Sequence, residues 1–156
     1  MTFGKNWRED IRRWWGIETL EDPTAAPPDI LWTTRCSQTK RRVSGRPEEV
    51  YVSILNRRFY RFVKDRGLRF GVLSDKYGLH MDDERLAYYD MHPSQLLPAQ
   101  KVLLGGLIRQ KTAAAGFDAV AFYNNSPLMS KPYFEMLAHS GLKVFYTTRL
   151  PRVEGT

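Results

Sequence analysis

A single cysteine, Cys36, among 156 residues leaves no disulfide framework to hold a fold together. The chain has to bury a core of its own, and its length is enough for one domain to do so. The lone thiol also fits a reducing compartment. Long apolar runs are missing, so no membrane-spanning segment is expected. The first 20 residues hold three tryptophans and many charges, so no secretory leader is expected, and a cytoplasmic location follows as the default. Three scattered histidines (His80, His92 and His139) and the lack of any Cys-x-x-Cys pair leave no metal-ligand spacing. "MDDE" at 81–84 reads as an acidic turn or helix start before it reads as a magnesium site. No metal and no other cofactor is expected. The GxxxxGK[ST] glycine pair is also absent, which excludes a P-loop.

Acidic residues are the last scarcity. Seventeen Asp and Glu face 24 Lys and Arg, a net charge of +7. That balance favours a polyanionic partner, nucleic acid or a nucleotide, although a merely basic surface gives the same count. The motifs have to decide between the two.

Residues 5–16, "KNWREDIRRWWG", place Trp7, Ile11, Trp14 and Trp15 at helical spacing, with Arg8, Arg12 and Arg13 beside them and Gly16 as a stop. "EDPTAAPPD" follows as a proline-rich linker over 21–29. The N-terminal helix is therefore assigned to 1–20 and a single α/β domain to 30–156. Within that domain strands are expected at 30–34, 68–73, 117–123 and 142–148. Helices are expected at 47–67, 98–116 and 131–141. Pro47, two acids after it and Gly67 frame the first of these, and the Gly105–Gly106 pair weakens the second. The β-α-β-α-β-α-β order predicts a three-layer sandwich around a mainly parallel four-stranded sheet.

Ligands of such sheets gather at the carboxyl ends of the strands. Four segments end there: "RCSQTKRR" (35–42), "SDKYGL" (74–79), "NNSP" (124–127) and "RLP" (149–151). Together they would bring Ser37, Thr39, Lys40, Ser74, Lys76, Tyr77, Asn124, Asn125, Ser126 and Arg149 to one rim, a set suited to phosphate, ribose or base edges. Loops are polar in any case, so the density of such groups is what points to a ligand. Gly78 would let the backbone turn tightly there. Lys40, Arg41, Arg42 and Arg46 form a compact basic cluster able to hold a phosphate backbone, or else a solvated loop. Cys36 reads as a small buried hydrophobe, since no histidine lies near it in sequence. Tyr89 and Asp90 follow the SDKYGL loop closely and are the favoured phenol–carboxylate pair.

The blocks "TTRCSQTK", "EEVYVSILNRRF", "VLSDKYGL" and "YYD" resemble a family of small α/β domains. The family pattern is Ser-Cys-Ser-x-Thr-Lys, Leu-Tyr-x-Ser-x-Leu-Phe, Leu-Ser-Ala-Lys-Tyr-Gly-Leu and Pro-Tyr-Asp, and it is distantly similar to the YaaA peroxide-stress proteins. The resemblance covers about residues 30–150 and maps the motif onto Cys36, Ser37, Thr39, Lys40, Tyr51, Ser53, Ser74, Lys76, Tyr77, Gly78, Tyr89 and Asp90. Asp75 stands where the family has a small alanine, Arg35 where it has serine, and Ala87-Tyr88 where it has the proline neighbourhood. The resemblance implies action on or around nucleic acid, as a base glycosylase or lyase.

Three functions follow. In the first, the protein acts on a nucleotide or on a base in nucleic acid. Lys40 and its neighbours hold phosphate, and Tyr77 or Tyr89 stacks. Asp90, beside Lys76, is general base or stabilises an oxocarbenium ion. In the second it binds nucleic acid without catalysis, through the basic loop and through Arg8, Arg12 and Arg13, with a tryptophan stacking. A weaker third is a subunit of a ribonucleoprotein assembly. No sequence feature sets the oligomeric state. An ion pair from Asp75 or Asp90 to Lys76 would instead make the 74–90 segment a tied-down loop.

Overall fold

The computed structural model describes residues 4–37, 40–90 and 96–151. They form a mixed α/β fold around a six-stranded, mainly parallel sheet. The strands are β1 (Glu18–Thr19), β2 (Leu31–Arg35), β3 (Phe70–Ser74), β4 (Gly78–Met81), β5 (Ala119–Tyr123) and β6 (Lys143–Thr147), in the spatial order β1-β6-β5-β2-β3-β4. The four strands expected from sequence are the inner four and run parallel. The sheet is nevertheless six-stranded, not four-stranded. β1 adds two residues parallel to β6, too short for any pattern to show. β4 pairs antiparallel with β3 through the tight Asp75–Tyr77 turn, so "SDKYGL" is the tip and return of a hairpin. All four β4 residues are buried, which hides the alternation by which a short strand is recognised.

The central strands read as continuous apolar runs because both faces are covered. β2 carries two threonines in that buried setting, and the neighbouring strand satisfies both. Thr33 Oγ1 donates to the Ala121 carbonyl at 3.0 Å and Thr34 Oγ1 to that of Tyr123 at 2.8 Å. Gly71 in β3 is required by packing, since a Cβ there would lie 2.7 Å from Leu79 Cδ1 on β4.

Five helices complete the described fold: α1 (Trp7–Trp15), α2 (Pro47–Val50), α3 (Ile54–Asp65), α4 (Pro98–Ala114) and α5 (Lys131–Ser140). The single helix expected over 47–67 is broken in two. Tyr51 takes an extended conformation and pairs with Lys40 in a lone antiparallel bridge. Ser53 then caps α3, accepting from the Asn56 amide. The break turns Tyr51 into the sheet edge and leaves Ile54 at the α3 N-terminus 78% exposed. α1 ends at Gly16, in the left-handed region at φ 67°. Its Ile11 is buried, Trp7 packs edge-on to Tyr146, and Trp15 tilts against Phe134 of α5. No described helix is long and apolar enough to cross a membrane.

Candidate ligand site at the carboxyl edge of the sheet

The chain leaves β2 for β3 on one side and later returns to β5 on the other, so β2 marks the reversal of strand order. The turn after β3 adjoins a cavity of about 680 Å3, closed by α4 and by residues 89 and 90, with no described residue from the ends of β2 or β5 in its lining. The volume suits a small organic ligand. Asp75, Lys76, Tyr89 and Asp90 line one side. Leu96, Leu103, Leu104 and Leu107, on and just before α4, line the other.

A directed chain of hydrogen bonds fixes Tyr89. His80 Nε2 lies 2.8 Å from the Glu84 carbonyl, which can only accept, so this nitrogen carries the proton. Burial lowers the His80 pKa and favours the neutral ring, leaving Nδ1 as an acceptor. Tyr51 Oη, 3.3 Å away, therefore donates to Nδ1 and accepts from Tyr89 Oη at 3.1 Å. Tyr89 Oη in turn accepts from Ser74 Oγ at 2.8 Å. Ser74 Oγ finally accepts from the Lys76 and Tyr77 amides at 3.2 and 3.0 Å. Every donor is spent in one direction. Burial pushes the phenols of Tyr51 and Tyr89 well above the usual range, so both remain protonated donors.

Asp75 behaves differently. It is 1% exposed, and its Oδ2 has no hydrogen-bond partner among the described residues. Its Oδ1 receives a long thiol contact, 3.7 Å from Cys36 Sγ, and the Tyr89 hydroxyl and its own amide also act on the carboxylate. Sγ also sits 3.4 Å from Tyr133 Oη on α5. Burial raises the Asp75 pKa, and the Lys40 ammonium opposes that effect. Lys40 Nζ itself lies 4.3 Å from the centroid of the Tyr89 ring. Burial and the Asp75 charge together raise the Cys36 pKa, which keeps it a thiol.

The sequence-derived candidates divide accordingly. Lys76, Tyr89 and Asp90 come together on the cavity. Lys76 is exposed, with Nζ 5.4 Å from the Tyr77 ring, and it makes no ion pair with Asp75 or Asp90. Ser74 acts behind the cavity by holding Tyr89. Tyr77 packs edge-on to Tyr89 and donates its hydroxyl to the Ala87 carbonyl at 3.0 Å. Gly78, at φ 75°, makes its close approach to protein: a Cβ there would lie 2.8 Å from the Leu104 carbonyl oxygen of α4. Asn124 is fully buried at the end of β5, accepting from Arg35 Nε at 3.1 Å and donating to Ser130 Oγ at 2.7 Å. Asn125 is exposed beside it, and Ser37 is buried after β2. Thr39 lies outside the described residues.

Of the basic cluster, Lys40 reaches a cavity residue, over the Tyr89 ring. Gly45 pairs with Leu86 in a second lone bridge, which lays the 40–46 loop against the segment leading to Tyr89. Arg41 and Arg42 are exposed, and Arg42 lies 5.7 Å from the Tyr88 ring. Arg46 is exposed and 3.5 Å from Glu49. On α1, by contrast, every proposed arginine faces a carboxylate. Arg8 pairs with Glu21, Arg12 with Glu9 at 2.7 Å, and Arg13 with Asp10 at 3.2 Å.

Sequence reasoning undervalued Asp75, and it read past Tyr51 and His80 as site residues. Asp75 had a signal: a carboxylate, where the resembling family carries alanine, directly after a wholly buried strand that ends in Ser74. Tyr51 was masked by the helical spacing around it.

Fold and site together define a mixed α/β domain with an apolar-walled cavity, a buried carboxylate and a basic margin at the carboxyl edge of its sheet. No protein-family model, curated protein or solved structure matches the chain.

Proposed function

We propose that the protein binds nucleic acid along the 40–46 loop and takes a base into the cavity, where it acts on the N-glycosidic bond. The observation that carries this reading is the buried Asp75 carboxylate, with one oxygen unpartnered among the described residues, on a cavity whose far wall is built mainly of leucines. Leaving a buried acceptor unpaired costs about 1–3 kcal/mol, so its retention favours a ligand that supplies the missing donor. The leucine wall and the Tyr89 ring accommodate a flat aromatic ring. Lys40 and the exposed Arg41 and Arg42 lie where a phosphate backbone would enter. This reading takes the domain as a three-layer sandwich, because right-handed crossovers around the β2 reversal would put α3 opposite α4 and α5. The resemblance to the YaaA-related domains points the same way.

In the proposed reaction Asp90, exposed at the cavity mouth, removes a proton from a water molecule. The water oxygen bonds to the sugar C1′ as the C1′–N bond breaks, and the departing base keeps the electron pair and takes a proton from solvent, to which Asp90 later returns its own. Asp90 also offsets the positive charge that develops on the sugar. Lys76, close by and without an ion pair to a described residue, steadies the charge on the leaving base.

Incubation with single- and double-stranded oligonucleotides, followed by mass analysis of released bases and abasic strands, tests this. Asp90→Asn should retain binding and lose release. Salt-dependent binding with no release from any substrate would identify a non-catalytic nucleic-acid-binding protein. Absence of binding at low salt would remove the proposal.

A further inference from the structure

We propose that Asp75 reads the base, and that the base is guanine or a close analogue presenting the same amidine-type edge, a ring N–H beside an exocyclic NH2. This rests on the reading of the cavity as a base site and adds its selectivity. The Asp75 carboxylate is held at the turn of the β3–β4 hairpin, almost wholly buried, with Oδ2 unpartnered among the described residues. Oδ1 takes the Cys36 thiol at 3.7 Å, a weak donor, and the Tyr89 hydroxyl also acts on the carboxylate. A carboxylate with two accepting oxygens matches two parallel N–H donors, and guanine's N1–H and N2–H2 are such a pair. Thymine and uracil offer one donor between two carbonyls, which would face the carboxylate as like partial charges. Adenine and cytosine offer a donor beside an acceptor, which an anionic carboxylate satisfies at only one point.

The surroundings favour a neutral guest. Burial raises the Asp75 pKa, and the Lys40 ammonium is the charge that opposes it. An arginine side chain or another amidinium carries the same donor pair with a positive charge. Lys40 above Tyr89 and Lys76 at the cavity edge disfavour that charge. Guanine brings the donors on an uncharged plane, and Leu104 and Leu107 supply an apolar wall for it. The neighbouring hydroxyls of Ser74, Tyr51 and Tyr89 are bonded to one another, which leaves Asp75 as the buried group on the cavity with an unpartnered oxygen among the described residues. Asp90 then remains for the sugar.

Single-stranded oligothymidylates carrying one central guanine, hypoxanthine, adenine or cytosine distinguish the outcomes, with agmatine as a competitor to represent the amidinium source. At fixed low salt the guanine strand should bind at least about tenfold more tightly than the hypoxanthine strand, which lacks only the 2-amino group. Asp75→Asn replaces one acceptor by a donor and should erase the difference between the guanine and hypoxanthine strands. Equal binding of all four strands, or a guanine preference that survives in Asp75→Asn, overturns the inference and leaves nucleic-acid binding standing. Preference for adenine or cytosine overturns it in favour of a neutral carboxyl, and displacement by agmatine in favour of a cationic guest. If no strand binds, the base-site reading falls with it.

Discussion

Asp75→Asn should make the protein more stable at neutral pH while it impairs the site. The wild-type carboxylate is almost wholly buried and one of its oxygens is unpartnered among the described residues. Such a group costs about 1–3 kcal/mol, more when charged. The amide keeps the shape and removes the charge but still leaves a polar atom unpaired, so the gain belongs at the low end, about 1 kcal/mol. For a chain of this length that is a rise in Tm of roughly 2–4 °C. The pH dependence has a definite sign. Burial raises the Asp75 pKa in the folded state, so the folded protein holds this proton more tightly than the unfolded chain does. The resulting stability is fully present below the ordinary carboxylate range and is lost as pH rises through the raised value. The advantage of Asp75→Asn is therefore largest at neutral pH and should shrink as pH falls through that raised value. Thermal melts of both proteins from neutral pH down to about 4 measure the gap directly. A variant that melts lower than wild type at pH 7 would show that the carboxylate is part of a stabilising network, and the argument for an empty acceptor would fail.

Lys76→Met should shift Tm by no more than about 1–2 °C, because Lys76 is exposed and makes no ion pair with a described residue, whereas a tied-down loop would melt visibly earlier. Charge reversal at two of Lys40, Arg42 and Arg46 should weaken nucleic-acid binding more than tenfold, about 1.4 kcal/mol, and unchanged affinity at low salt would mark the loop as plain solvated surface. The two adjacent glycines of α4 should respond in opposite ways to alanine. Gly105→Ala pushes a Cβ to 2.6 Å from His139 Cβ and should lower the denaturation midpoint, while Gly106→Ala meets nothing within 4 Å and should raise stability by up to about 1 kcal/mol. Tyr51→Phe removes a donor from His80 and an acceptor from Tyr89, and chemical denaturation should show a loss of about 1–3 kcal/mol.

Apolar runs and their punctuation made the inner sheet legible. Phe70–Leu73, Ala119–Tyr123 and Val144–Tyr146 carry unbroken apolar residues that few other structures accept, and their bounds fall within two residues of expectation. What was hidden depended on pairing between distant segments. Tyr51 sits at helical spacing from Leu55 and Phe62, yet its bridge to Lys40 overrides that periodicity. β4 looks like a loop because Gly78 and the turn before it are what a sequence shows, while its antiparallel register with β3 is not. At the site, the Lys76–Tyr89–Asp90 grouping was readable from the SDKYGL and YYD blocks. The part of Asp75 was not, because burial is a property of the surrounding fold: the same residue in an open turn would be solvated and ordinary.

The position of β2 has a consequence for how the chain comes together. Its threonine hydroxyls are satisfied only by carbonyls 88 and 89 residues further on. Pairing with β3 closes a short loop, but the other edge of β2 stays unpaired until β5 has been made. During synthesis the nascent chain therefore carries an apolar parallel edge through more than half its length, a form of topology that folds slowly and invites off-pathway association. Any chain ending before Ala119 keeps the β3–β4 hairpin and the leucines of α4, yet has no partner for the far side of β2. The cavity residues between 75 and 107 are close neighbours in sequence and belong to the part of the chain made before that edge is paired.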